Sequence, residues 1–269
     1  MTYRNTTDSV RPKKQLGQHF LTDQNIARRI AESLTADRCN TALEIGPGMG
    51  VLTQYLLQRS DITLYAAEID SESVTYLHDH FPTLTPRLIE GDFLQMNLVN
   101  LFPGGVNIIG NFPYNISSKI FFTVLDNRDL IPEVVGMIQR EVAVRIAEPP
   151  GSRDYGILSV LLQAWYDIEY LFTVNEGVFN PPPKVKSAVI RLRRNQVRQL
   201  DCDERLFVRV VKAAFNQRRK TIRNALRAAF GDFNGAEHPY FGKRAEQLGV
   251  AEFVELTQWV DTNRTPPAK

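Results

Sequence analysis

The stretch Gly110-Asn111-Phe112-Pro113-Tyr114-Asn115 directly follows the apolar run Val106–Ile109, so an amide, two rings and a proline stand where a buried strand should end. An exocyclic aromatic amine, such as N6 of adenine, is a poor nucleophile because its lone pair is delocalised into the ring. Two fixed oxygens that accept both of its N–H bonds favour the tetrahedral, nucleophilic form. The Asn111 Oδ1 and the Phe112 carbonyl could supply them, and Pro113 restricts the backbone that aims the carbonyl. Tyr114 offers a flat face for an unstacked base, a contact worth about 1–3 kcal/mol. The competing reading is a plain strand-ending turn with Tyr114 packed in the core.

A second stretch, Glu44-Ile45-Gly46-Pro47-Gly48-Met49-Gly50, joins an apolar run to a helical pattern. Glycines in such a turn let the backbone approach a ligand closely. Their spacing is G-x-G-x-G, not the G-x-G-x-x-G of dinucleotide-binding loops. Glu68 ends the next strand, where it can accept hydrogen bonds from ribose hydroxyls. Asp92, in Gly91-Asp92-Phe93, ends the third and can accept from an adenine amine. Loop, ribose acid and base acid in this order fit S-adenosylmethionine better than NAD. With a sulfonium as electrophile, alignment supplies much of the rate and no metal is called for. His78 and His80 flank Asp79, but positions i and i+2 of a helix face different ways, so they read as surface residues.

These residues need a scaffold that brings strand ends together. Candidate strands are Ala42–Ile45, Thr63–Ile69, Arg87–Glu90, Val106–Ile109 and Val134–Ile138, and helical stretches lie between them (Val51–Gln58, Ser71–His80, Ser117–Leu125). The alternation predicts an α/β, Rossmann-like sheet of parallel strands. A helix Asn25–Leu34 precedes it, and a buried helix Leu158–Trp165 and a strand Ala188–Leu192 follow. Composition turns polar between Arg193 and Asp203, and helical patterns then run over Glu204–Phe215, Thr221–Phe230, Arg244–Leu248 and Phe253–Val260. The expected division is a flexible basic arm over 1–14, a catalytic domain over 15–195 and a small all-helical domain over 203–269.

The 269 residues carry a net charge of only +2, so any argument about partners rests on how charge is distributed. Arg205–Arg227 holds eight basic residues and no acid, with Arg219, Arg223 and Arg227 expected on one helical face. Arg218, Arg219, Lys220, Arg223 and Arg227 are the candidates for gripping RNA phosphates. A second group, Lys184, Lys186, Arg191, Arg193, Arg194 and Arg198, also lacks acids. Cys39 and Cys202 stand in no metal or redox spacing, which suits a reducing compartment. No apolar run reaches membrane-spanning length and the N-terminus has no apolar signal region, so the expectation is cytoplasmic.

The chain resembles the ribosomal small-subunit RNA adenine N6,N6-dimethyltransferases, relatives of the macrolide-resistance rRNA methylases. The blocks Lys14–Leu21, Glu44–Gly50, Glu68–Asp70, Gly91–Leu94, Gly110–Tyr114, Gln139–Ala143, Tyr155–Val160 and Phe179–Val185 follow in the family's order over nearly the whole chain. The resemblance implies an S-adenosylmethionine-dependent methyltransferase. Its cofactor would be contacted by His19 and Leu21, with Gly46 under the methionine part, Glu68 on the ribose and Asp92 on the adenine amine. Asn111 would lie between cofactor and target base, with Phe112, Pro113 and Tyr114 completing the catalytic set; Phe179 is the family's candidate for the base's second face, with a plain core role as the alternative. The family has Asn at position 19 and Leu at position 112. His19 is thus the least secure contact, and the Phe112 ring would narrow the pocket.

Membership further implies that two adjacent adenines near the 3′ end of 16S rRNA each receive two methyl groups during ribosome biogenesis. The partners would then be the small ribosomal subunit and S-adenosylmethionine, with no membrane, and the protein a monomer. Three other readings stay open: an assembly checkpoint factor whose binding matters more than its catalysis, a nicotinamide-dependent oxidoreductase, and a large-subunit rRNA methylase.

Overall fold

The computed structural model describes residues 10–233 and 235–264. Among the described residues the strands and α-helices begin with β1 (Phe20–Leu21), α1 (Gln24–Ser33), β2 (Thr41–Ile45), α2 (Thr53–Leu57), β3 (Thr63–Glu68), α3 (Ser71–His80) and β4 (Leu88–Glu90). It continues through α4 (Leu98–Leu101), β5 (Asn107–Asn111), α5 (Ser117–Asp126), β6 (Glu133–Gln139), α6 (Arg140–Ala147) and α7 (Ile157–Gln163). The remaining elements are β7 (Tyr166–Val174), β8 (Phe179–Asn180), β9 (Ser187–Arg194), α8 (Glu204–Asn216), α9 (Ile222–Phe230) and α10 (Val250–Asn263).

Seven strands form one sheet in the order β4-β3-β2-β5-β6-β9-β7. β2 pairs in parallel with β3 on one side and β5 on the other, and β4 and β6 extend the parallel run outward. The central strands β2, β5 and β6 are buried almost throughout, as expected of parallel strands covered on both faces. The chain leaves β2 for β3 on one side and returns to β5 on the other. The C-terminal ends of β2 and β5 therefore flank a topological switch point, where ligands of such sheets bind. β9 runs antiparallel to β6, with Ser187 opposite Gln139, so its first residues arrive at that same edge.

Local chemistry sets the elements that frame this edge. Asp23 caps α1 by accepting from the Asn25 and Ile26 amides, and Ala27, Ile30 and Ala31 face the core. β7 has no counterpart among the strands read from sequence. It ends the sheet, its burial does not alternate cleanly, and Asp167 and Glu169 interrupt its apolar residues, as suits an edge strand. The expected helix Arg244–Leu248 is a single 3-10 turn, Ala245–Gln247.

The chain folds as two compact units, one ending at Ala143 and resuming over Glu169–Arg194, the other made of Val144–Ile168 with the residues from Asn195 onward. Residues 144–168, placed by sequence in the catalytic domain, thus belong with the helices. The reason is aromatic. Tyr155 is wholly buried with its ring 6.1 Å from Phe215, which stacks on Phe253, and Trp165 meets Phe207 edge-on. Within the second unit Phe233, Phe241 and Trp259 form another ring cluster. Of the expected arm, residues 1–9 lie outside the described residues. Lys13 is no free arm residue, because its ammonium meets both Asp70 and Glu72. Among the described residues no helix is long and apolar enough to cross a membrane.

Candidate cofactor and base site

A cavity of about 230 Å³ opens at the switch point, walled by the ends of β2, β3 and β5, the loop after β4, and residues 16–20. Gly46 has φ +66°, and a Cβ built there would meet nothing nearer than 4.0 Å, so the space above it is open. Gly48 and Gly50 serve packing: added Cβ atoms would strike the rings of Phe20 at 2.8 Å and Phe81 at 2.3 Å. Loop and second strand are tied together by Glu68. Its Oε2 accepts from the Gly48 amide at 3.0 Å, and its Oε1 accepts from the Ile69 and Asp70 amides at 2.9 Å each. A carboxylate offers about four lone-pair sites. Three are taken, and the fourth, on Oε2, is left for a hydroxyl of a ligand. Burial pushes the Glu68 carboxyl upward, against the lowering influence of those three amides.

Asp92 uses Oδ1 to cap the turn Phe93–Gln95 through the Leu94 amide at 2.9 Å, which leaves Oδ2 for a ligand. Next to Glu68 in the chain stands Ile69, 52% exposed and part of the cavity wall. An apolar side chain so open, beside a ribose-type acceptor, is suited to lie against a purine ring. Below the loop Glu44 is buried, with a hydrogen bond from Thr53 Oγ1 at 2.7 Å. Burial chiefly, with the charge of Glu68 adding to it, pushes its carboxyl up to about 8, against the hydrogen bond from Thr53.

On the opposite wall the Asn111 Nδ2 donates to the His19 carbonyl at 2.9 Å. A carbonyl only accepts, so this bond fixes which way the amide faces and leaves Oδ1 as the free acceptor. The Phe112 amide donates to the Met137 carbonyl at 3.0 Å, while its own carbonyl takes no hydrogen bond among the described residues. The Phe112 ring does not narrow the cavity as expected. It is 1% exposed and lies over Gly136, whose absent Cβ would be 2.5 Å from it, and edge-on to Phe121. Leu or Phe at this position thus fills core space.

The Tyr114 phenol is hydrogen-bonded to Ser187 Oγ, and burial raises its pKa, so it stays protonated at neutral pH. His19 lies beside it, ring centroids 5.3 Å apart, with Nδ1 donating to the Pro181 carbonyl at 2.8 Å. The bond to Asn111 uses the backbone of residue 19, so Asn or His there can serve equally.

His19, Gly46, Glu68, Asp92 and Asn111–Tyr114 therefore line one cavity. Leu21 and Phe179 do not. They are register partners in the two-residue ladder of β1 and β8, each 4% exposed, in the apolar cluster with α1. Sequence reasoning missed Phe20, Ile69 and Ser187. Ile69 follows the ribose acid directly, which is a usable signal; the Ser187 contact depends on register and leaves none. His78 and His80 turn to separate partners, Thr85 and the Tyr76 carbonyl.

The family described as "Ribosomal RNA adenine dimethylase" matches residues 10–260. The chain belongs to that family. It is 59% identical over 250 residues to the "Ribosomal RNA small subunit methyltransferase A" of Parabacteroides distasonis, covering 92% of this chain and 93% of the relative. The protein of the same description from Porphyromonas gingivalis is 57% identical over 251 residues, covering 92% and 97%. Among solved structures, a dimethyladenosine transferase from Plasmodium falciparum superposes with a TM-score of 0.73 at 22% identity, covering 91% of this chain and 98% of that one. The 23S rRNA methyltransferase ErmE gives 0.64 at 27% identity, covering 89% and 99%. The sheet is thus the Rossmann-like sheet of methyltransferases.

In this rRNA adenine dimethylase the basic side chains sort differently from their order in the sequence. Arg223 pairs with Glu237, Arg227 with Asp232, and Arg218 with the Arg153 carbonyl and Glu246. The acids come from residues 232–246, beyond the basic run. Arg219 precedes the Thr221 cap of α9, so it does not share the helical face of Arg223 and Arg227. It and Lys220 are exposed, and neither makes an ion pair among the described residues. In the other unit Arg191 and Arg193 both bond Glu169, at 2.7 and 2.8 Å, and Arg194 reaches Asp129.

Proposed function

We propose that this protein transfers methyl groups from S-adenosylmethionine to the N6 amines of two adjacent adenines near the 3′ end of 16S rRNA, giving dimethyladenosines during ribosome biogenesis. In this reading it acts as a cytoplasmic monomer on the small subunit. The observation that carries it is that Asn111 Oδ1 and the Phe112 carbonyl at the end of β5, acceptors without a hydrogen bond among the described residues, belong to residues that line one cavity with Glu68 at the end of β3 and Asp92 in the loop after β4.

The residues present fit the cofactor. The open space over Gly46 takes the methionine part, the spare Oε2 site of Glu68 takes a ribose hydroxyl, Oδ2 of Asp92 takes the adenine amine, and Ile69 lies on the ring. When bound, S-adenosylmethionine supplies an electrophilic methyl group. The chain's own residues do the rest. The target base leaves its stack and lies on Tyr114. In the first transfer Asn111 Oδ1 and the Phe112 carbonyl accept its two N–H bonds, and in the second one of them accepts the single N–H that remains; this localises the nitrogen lone pair for in-line attack, and each transfer releases one N–H proton to solvent. Positioning of this kind supplies most of the acceleration. The relatives named for the small subunit support that acceptor over large-subunit RNA.

The test offers purified small and large subunits with labelled cofactor. Label is expected on small-subunit RNA only, with transfer slowed about 100- to 1000-fold by Asn111→Ala. Label on large subunits, or full transfer by Asn111→Ala, would overturn the assignment. Arg219 and Lys220 favour a second reading, in which binding to the subunit itself serves assembly. Rescue of subunit maturation by Asn111→Ala would support it, and failure of rescue would count against it.

A further inference from the structure

Two further clefts continue from the base site along the first unit. One, of about 470 Å³, shares His19 and Tyr114 with the cofactor cavity and is floored by Pro181, Pro182 and Pro183. The next, of about 760 Å³, begins at Val185, which lines both. Lys14 and Lys184 flank the first cleft, Arg140 and Lys186 the second, and all four side chains are exposed. None of the four makes an ion pair among the described residues, whereas Arg191, Arg193 and Arg194 of the adjoining strand are each matched by an acid. Among the described residues Glu141 is the one acid lining either cleft. Val185, 41% exposed, adds an apolar contact midway. The walls are fixed: the Pro181 carbonyl accepts from His19, and the Arg140 amide donates to the Lys186 carbonyl at 2.9 Å.

We infer that this trough holds the single-stranded RNA that adjoins the target base, with Lys184 and Lys186 on its phosphates and the prolines and Val185 against its sugars and bases. The inference rests on the functional reading above. A base extruded onto Tyr114 draws its neighbours with it, and those neighbours are single-stranded at that point. Unpaired cations over an apolar floor suit such a strand.

The test compares wild-type protein with Lys184→Gln/Lys186→Gln, using a short single-stranded RNA that carries two adjacent adenines. Arg264→Gln, which removes a cation paired with Asp261, is the control for net charge. Expected are a several-fold weaker RNA complex and a salt dependence of log K shallower by about 0.7 per lysine. On small subunits KM should rise with kcat retained, and cofactor affinity should not change. A 4-thiouridine beside the adenines should cross-link to the peptide that carries residues 181–186. Unchanged affinity and salt slope, or cross-links confined to residues 204–230, would overturn the trough. If wild type methylates small subunits and the variant matches it throughout, the trough alone fails. If wild type transfers no methyl group at all, the functional reading fails with it.

Discussion

The two walls of the cavity are built on different plans. The Gly46–Gly50 turn is held by its neighbour in the sheet: Glu68 ties it to β3 through backbone amides, and the Gly46 amide bonds the Ala67 carbonyl. The Asn111–Asn115 turn is held by segments distant in sequence. His19 orients Asn111, Ser187 orients Tyr114, and the Asn115 side chain packs on Gly17 and reaches the Gln15 carbonyl. The cofactor wall is thus tied mainly within the sheet, with Phe20 packed on Gly48 and Lys13 on Asp70 from outside it, whereas the polar groups of the base wall are oriented by residues 15–19 and the start of β9. Substitutions should separate the two, one wall failing in binding and stability and the other in rate.

The largest effect falls on rate. Asn111→Ala removes one preorganised oxygen, and kcat should drop about 100- to 1000-fold, the usual scale for losing one such polar group. Cofactor affinity should change far less; an equal loss in both would erase the distinction between the walls. Glu68→Ala orphans three backbone donors, so unfolding free energy should fall by about 2–3 kcal/mol, and cofactor affinity with it. Denaturant titration measures the first and calorimetry the second.

Glu44 sharpens the same contrast through pH. Its carboxyl stays protonated in the folded protein up to about 8, whereas an unfolded chain ionises it near about 4.3. Its contribution to stability is therefore fully present below the lower value and lost as pH rises through the upper one. Glu44→Gln should flatten that part of the stability profile, and identical profiles would show the group is not responsible. On the base wall, Ser187→Ala frees the Tyr114 phenol and should lower kcat/KM about fivefold, the worth of one ordinary hydrogen bond.

The smallest effect is expected at Lys13. Burial raises the Asp70 carboxyl, but hydrogen bonds from Lys13, Ser73 and Gln18 outweigh it and hold it below the usual range. The clasp is thus present at neutral pH and lost as pH falls through that lowered value. Lys13→Ala should weaken cofactor binding a few-fold at pH 7, and the difference from wild type should vanish in acid.

The same contrast explains what could be read from sequence. The cofactor wall is made of strand ends, each announced by a local pattern: an apolar run, then Gly46, Glu68 or Asp92. Order along the chain was enough to assemble them. The base wall gave up Asn111–Tyr114 for the same reason, but not Ser187, which reaches Tyr114 only through the antiparallel register of β9 on β6. Leu21 and Phe179 carried site roles by resemblance, yet their pairing with each other buries both side chains. Charge misled in a similar way. Runs without acids looked unneutralised until Glu169, Asp129, Glu237 and Asp232 came from elsewhere in the chain.

One reversed strand has a wider consequence. The parallel strands reach the ligand edge only as they end, so each can offer it only a terminal turn. β9 travels the other way, and the residues between β7 and Ser187 are delivered to that edge before the chain re-enters the sheet. Insertions or deletions in residues 175–186 could therefore reshape what the enzyme accepts beside the adenine while the donor's berth keeps its form, and differences in acceptor among its kin should be sought first in the length of that approach.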